Sequence, residues 1–301
     1  MKRITVGAND KEQRLDKFLQ KLLPDAPQSV IYKSLRKKRI KCNSKRVTDG
    51  ATRLQEGDVL ELYINDDFFA KDNKKAIWQE LIPILEVVYE DEHIIVMKKT
   101  SGMPSQGGED EVSLEAHMRA YLYNKGEYNP EKENSFLPSL CHRIDRNTSG
   151  LVIGAKDAES LRVLNQKVRD KEIRKFYLCE VEGELMPDKG EISGWLLKEE
   201  KTRKMIFSDK QIKGASECRT RYKVLKGGEV SLVEAELLTG RTHQIRASFS
   251  HIGHPLVGDV KYGAKKTKNK DFQHLVSYRL IFDFSTDSGC LEYLKGREIK
   301  I

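Results

Sequence analysis

The sequence predicts an α+β protein in two domains, and three observations carry that expectation. Its 301 residues exceed the ~100–200 of a typical single domain. Apolar residues recur at helical spacing in a few separate stretches, and between them lie short β-branched and aromatic runs bounded by turn residues.

In chain order, Lys2 to Ala8 reads as a short first strand. Leu15, Phe18, Leu19 and Leu22 then fall at i, i+3, i+4 and i+7, which gives a helix with one buried face. Pro24 and Pro27 end it, and Ser29 is expected to cap a second helix running to about Lys38. That helix would bury Val30, Ile31 and Leu35 and expose Lys33, Arg36 and Lys37. Strands follow at Ile40 to Asn43 and Asp58 to Ile64, with turns at Asn43-Ser44-Lys45 and Glu56-Gly57-Asp58. Residues 1–64 are thus a first domain and 65–82 a linker, containing Lys71-Asp72-Asn73-Lys74-Lys75 and docking contacts at Phe68, Phe69 and Trp78.

The second domain, residues 83–301, opens with strands over Leu85 to Tyr89 and Ile94 to Met97, joined by the turn Glu90-Asp91-Glu92-His93. Ser113 caps a helix to about Asn124 that buries Leu114, Met118, Tyr121 and Leu122, with His117 packing beside that face or lying at the surface. Asn124 to Ser135 is a polar loop. Asp157 caps a helix to about Val168, and Phe176 to Val181 is a strand whose alternation sets Tyr177, Cys179 and Val181 opposite Phe176 and Leu178. Strands over Ser231 to Leu238 and Leu275 to Phe284 bracket a helix that Gly253 ends, and Lys265 to Lys270 is a basic loop.

Charge is unevenly spread. The net charge is +8, and Arg14 to Arg46 alone holds eleven basic residues against two acidic ones. A positive field confined to one small module is the footprint of nucleic-acid binding, with Lys33, Arg36, Lys37 and Arg39 as candidate phosphate contacts. Met1 to Asp10 lacks the apolar core of a signal peptide and no run approaches a membrane span, so a monomeric cytoplasmic protein without membrane contact is expected. Cys42, Cys141, Cys179, Cys218 and Cys290 are scattered and form no Cys-x-x-Cys pair, which suits reduced thiols in strands and cores.

The densest cluster of chemically capable residues is Cys141-His142-Arg143-Ile144-Asp145-Arg146-Asn147-Thr148-Ser149-Gly150-Leu151, ahead of the apolar run Val152-Ile153-Gly154-Ala155. It reads as a polar turn carrying one carboxylate between two arginines, followed by a buried strand. With Arg174 to Gly183 and with Gly240-Arg241-Thr242-His243-Gln244-Ile245-Arg246, continuing through His251 to Asp259, it resembles the signature of the RluA-type pseudouridine synthases. The first domain, with Arg14-Leu15-Asp16-Lys17-Phe18-Leu19 at its head, resembles the small alpha-L RNA-binding domain that often precedes such enzymes. Family members usually carry Asn-Lys-Pro-Ala-Gly where this chain has Lys98-Lys99-Thr100-Ser101-Gly102.

The resemblance implies a mixed, largely antiparallel sheet with flanking helices and a central cleft. It implies an isomerase that needs no cofactor and moves the uracil–ribose bond from N1 to C5. It assigns the carboxylate chemistry to Asp145, the basic partner to Arg246 and the active-site tyrosine to Tyr177. Arg143 would fill the gap left by the extruded base, with His142, Thr148, Ser149 and Gly150 shaping the turn. Ribosomal RNA is the first choice of substrate and transfer RNA the second. A noncatalytic RNA-binding assembly factor and a metal-dependent hydrolase are the competing classes. The second needs a metal that His243, His251 and His254 alone are poorly patterned to hold.

Overall fold

The computed structural model describes residues 1–69, 76–108, 111–266 and 272–301. The linker run Lys71 to Lys75, and the basic loop beyond Lys266, lie outside the described residues.

The N-terminal unit has strands β1 (Lys2–Thr5), β2 (Ile40–Cys42), β3 (Lys45–Arg46) and β4 (Val59–Leu62), with helices α1 (Leu15–Leu22) and α2 (Gln28–Arg36). Its sheet runs β1-β4-β2-β3 and is antiparallel throughout. The apolar stripe of α1 packs Leu15, Phe18 and Leu19 with Ile31, Leu35, Leu60 and Leu62 in one core. Two local expectations fail. Pro27, not Ser29, is the cap residue of α2, because its fixed φ of −55° already suits helix entry. Lys45 and Arg46 pair as β3 instead of serving only as a turn, since the left-handed Asn43 and Ser44 reverse the chain one residue earlier.

The linker is partly structured. Helix α3 (Ile77–Glu80) buries Trp78 against Tyr123 and Tyr128, whereas Phe69 belongs to the N-terminal core with Lys2 Nζ 4.4 Å above its ring.

The larger unit comprises β5 (Glu86–Glu90), β6 (Ile94–Lys99), α4 (Leu114–Asn124), β7 (Ser139–Leu140), β8 (Ser149–Ala155), α5 (Ala158–Arg169) and β9 (Ile173–Glu182). It continues with β10 (Lys189–Glu199), β11 (Lys204–Ser208), β12 (Ser216–Lys226), β13 (Val230–Leu237), α6 (Gln244–His251), β14 (Leu275–Phe282) and β15 (Glu298–Lys300). One sheet runs β11-β10-β12-β13-β9-β14-β8-β6-β5, with β15 on β14 and β7 on β8. Among the described residues its pairings are antiparallel except β8 with β14. The mixed α+β architecture expected from the sequence is the one observed. Ser113 and Asp157 cap α4 and α5 as expected, each accepting from a backbone N–H three residues on. His117 is buried and its Nδ1 accepts from Ile84 N.

The two units touch through the Ala8–Asp10 turn. Buried Asp10 accepts from Ser135 Oγ at 2.6 Å and Asn134 Nδ2 at 2.7 Å. Asn9 donates to Glu133 and accepts from Ala158 N at the start of α5.

Candidate active site

Asp145 sits on the loop between β7 and β8, and that loop is held by its backbone carbonyls. Ser105 Oγ donates to Ile144 O, the N–H of Thr148 to Asp145 O, and Ser101 Oγ to Asn147 O. Arg146 O accepts from Gly102 N and from Lys99 Nζ at 2.7 Å. Lys99 is fully buried and gives its other ammonium hydrogens to Thr100 O and Met103 O. Burial lowers its pKa to about 8 while Asp145 pulls the other way. The segment that departs from the family's usual wording therefore forms the cradle under the carboxylate, with Lys99 at its centre.

His142 turns inward from the same loop. Burial, followed by the nearby Lys175, lowers its pKa to about 3, so the ring is neutral and its Nε2 accepts from Ile153 N at 3.2 Å. Thr148 Oγ1 accepts from Gln273 Nε2. Gly150 has φ +109°, and a Cβ there would collide with the Ser277 backbone across the β8–β14 pair.

Across the cleft, α6 presents Arg246. His243 precedes it in the left-handed region, and Gln244 locks the helix start by donating to Arg219 O and Thr220 Oγ1 while accepting from Thr239 Oγ1 and Arg241 N. Arg246 Nη1 reaches Asp145 Oδ2 at 3.4 Å. The shorter bonds go elsewhere: Nε to Asp259 Oδ2 at 2.7 Å and Nη2 to Asp259 Oδ1 at 2.8 Å. Burial alone would lower the Arg246 pKa, and Asp259 first and Asp145 second more than offset it, so the guanidinium stays charged. Its plane lies 4.8 Å from the Tyr262 ring centre, and Tyr262 OH is 2.8 Å from His243 Nδ1. His243 Nε2 stands 3.9 Å from Asp145 Oδ2, and burial lowers its pKa against the pull of Asp145.

Strand β9 supplies the floor. Tyr177 is buried among Val233, Ala235 and Leu275, and burial raises its phenol. Asp145, Tyr177, Arg246, Arg143, His142 and Lys175 line one cleft. Arg143 is exposed at its rim and forms no ion pair among the described residues. A second depression meets the first at Asp145, His243 and Arg246 and extends over Asp259 and Lys261.

The structure thus gathers Asp145, Tyr177, Arg246 and Arg143. It places Lys33, Arg36, Lys37 and Arg39 apart from them, all exposed on or just after α2 and in no ion pair among the described residues. Sequence reasoning gives no role to Lys99, Asp259 or Tyr262, and considers His243 only as a metal ligand. The histidines go separate ways: His251 pairs with Asp209 and His254 with the Glu182 carbonyl. Among the described residues no group of three His, Cys, Asp or Glu side chains could hold a metal. No described helix is long and apolar enough to cross a membrane. Cys141 is buried, and that burial raises its thiol pKa to about 12.

Residues 93–251 match the family described as RNA pseudouridylate synthase, and residues 13–60 match the S4 domain. A protein of Mycoplasma capricolum subsp. capricolum named as an uncharacterized RNA pseudouridine synthase is 32% identical over 301 residues, covering 99% of this chain and 97% of its own. The ribosomal large subunit pseudouridine synthase C of Vibrio vulnificus is 36% identical over 273 residues, 87% of this chain and 80% of its own. The solved structure of human RNA pseudouridylate synthase domain containing 4 shares the fold, with a TM-score of 0.57 and 20% identity over 72% of this chain and 87% of that one.

Proposed function

Since this chain belongs to the RNA pseudouridylate synthase family, we propose that it isomerises uridines of large-subunit ribosomal RNA in the cytoplasm, with Asp145 acting on the nucleoside and no cofactor. Residues 83–301 carry out the chemistry and residues 1–64 grip the RNA. The names of several relatives support the choice of RNA, because they are called ribosomal large subunit pseudouridine synthase C.

The observation that carries the reading is a single half-buried carboxylate at the meeting of two depressions, facing a charged guanidinium, above a buried tyrosine. The reaction breaks the N1–C1′ bond and forms C5–C1′, while C5 loses a proton and N1 gains one, so no atoms or electrons are exchanged with a co-reactant. Asp145 can attack C1′, with the N1–C1′ pair leaving on the uracil. It can attack C6, with the pair moving into the ring, or it can take a sugar proton. In each route the side chain starts anionic and becomes neutral. Tyr177, kept protonated by burial, offers its ring face to the uracil. The base must leave its stack at a cost of a few kcal/mol, and the exposed Arg143 would occupy the vacancy.

Ribosomal RNA carrying uracil tritiated at C5 tests the proposal. The wild type should release tritium without additives, and Asp145→Asn should reduce the rate by at least ~1,000-fold while keeping RNA affinity within a few fold. Release from transfer RNA alone would overturn the substrate. Binding of both RNAs with no release would mark a noncatalytic assembly factor.

A further inference from the structure

We infer that Asp259 is a positioning residue, the permanent counter-ion of Arg246, and that it allows Asp145 to give up its charge during turnover. The inference rests on the isomerase reading above. Two carboxylates converge on one buried guanidinium, and they do so unequally. Asp259 is 3% exposed and takes two short parallel bonds, whereas Asp145 takes one long bond at 3.4 Å. A bidentate pair fixes the plane of a guanidinium, so the orientation of Arg246 is set by Asp259.

Asp259 is itself fixed by its turn. Its carbonyl accepts from Tyr262 N and Ala264 N, and its N–H donates to Leu256 O. The other charged or titratable groups around Arg246 are His243, Tyr262, Lys261 and Asp145. Of all these only Asp259 and Asp145 are acids.

If Asp145 were the sole partner of Arg246, neutralising it in the first step would strand a buried cation, a state that is strongly disfavoured. With Asp259 in place the guanidinium is neutralised before the reaction and remains so throughout. Asp145 is then oriented by a weak contact it can relinquish. Removing Asp259 would hand the full charge of Arg246 to Asp145 and hold it in the ground state.

The test is a double-mutant cycle on the full chain, read by steady-state tritium release over a range of RNA concentrations. Asp259→Asn should lower the turnover rate by about 100-fold with KM within threefold of wild type, and Asp259→Glu should recover part of that loss. Arg246→Gln combined with Asp259→Asn should be no slower than Arg246→Gln alone, because Asp259 acts through Arg246. The double variant also removes the stranded charge, so this comparison stands if Asp259→Asn alone does not fold. Penalties that multiply in the double variant, or an impairment carried by KM, would overturn the inference. A wild type that releases no tritium would instead sink the isomerase reading.

Discussion

Lys99 places three carbonyls where the loop of Asp145 needs them, and it does so as a fully buried cation. Replacing it with methionine relieves a burial penalty of about 3 kcal/mol, given the lowering to about 8 from an ordinary value near 10.4. The same change orphans the part-buried carbonyls of Thr100 and Met103 at ~1–3 kcal/mol each, whereas Arg146 O keeps its bond from Gly102 N. The second effect slightly outweighs the first, and Lys99→Met should destabilise the protein by about 1 kcal/mol at neutral pH, measured by urea unfolding. The sign with pH follows from the depressed value. Between about pH 8 and 10.4 the unfolded chain keeps this proton and the folded chain has given it up, so stability relative to Lys99→Met should rise across that window. A gap that is flat with pH would show that the amine is not titrating in its cradle. Asp145, Tyr177 and Arg246 are legible because each stands in a recognisable run of neighbours. Lys99 and Asp259 stand in such runs too, but nothing in the order of residues says that an ammonium turns inward or that an acid closes on an arginine thirteen positions before it.

At the scale of elements, the β8–β14 pair is the seam on which the loop of Asp145 is mounted. Gly150→Ala would drive a methyl into the Ser277 backbone at a φ that suits only glycine. The variant should be destabilised by at least ~3 kcal/mol and give little soluble protein, whereas Gly108→Ala, with open space around it, should behave as wild type. Helices with a polar cap and a regular run of helix-forming residues, such as α4 and α5, can be read from the sequence within a residue or two. Strands β10 to β12 cannot. The inward positions of β12 carry Cys218, Thr220 and Tyr222, and charged residues alternate with them, so the period-two apolar signal is diluted below recognition. The α2 cap is misplaced for a simpler reason: the helix begins one residue before Ser29, with Pro27 at its entry and no side chain capping it.

At the scale of the whole molecule, the proposed function divides the work between the α2 face, which would hold RNA, and the cleft, which would change it. Lys33→Ala, Arg36→Ala and Lys37→Ala together should reduce the slope of log affinity against log salt by about 2, at ~0.7–0.9 for each phosphate that is no longer neutralised. The rate at saturating RNA should stay within a few fold. An unchanged slope would remove α2 from the RNA interface. The division also has an order in time, because β14 lies between β8 and β9 in the sheet although it is the penultimate strand of the chain. A nascent polypeptide that has already delivered Asp145, Tyr177 and Arg246 still lacks the partner that spaces them, and it gains that partner only when Phe282 leaves the exit tunnel. The N-terminal unit is complete by Phe69. On the ribosome, under the proposed function, the growing chain would become able to hold a transcript well before it could alter one.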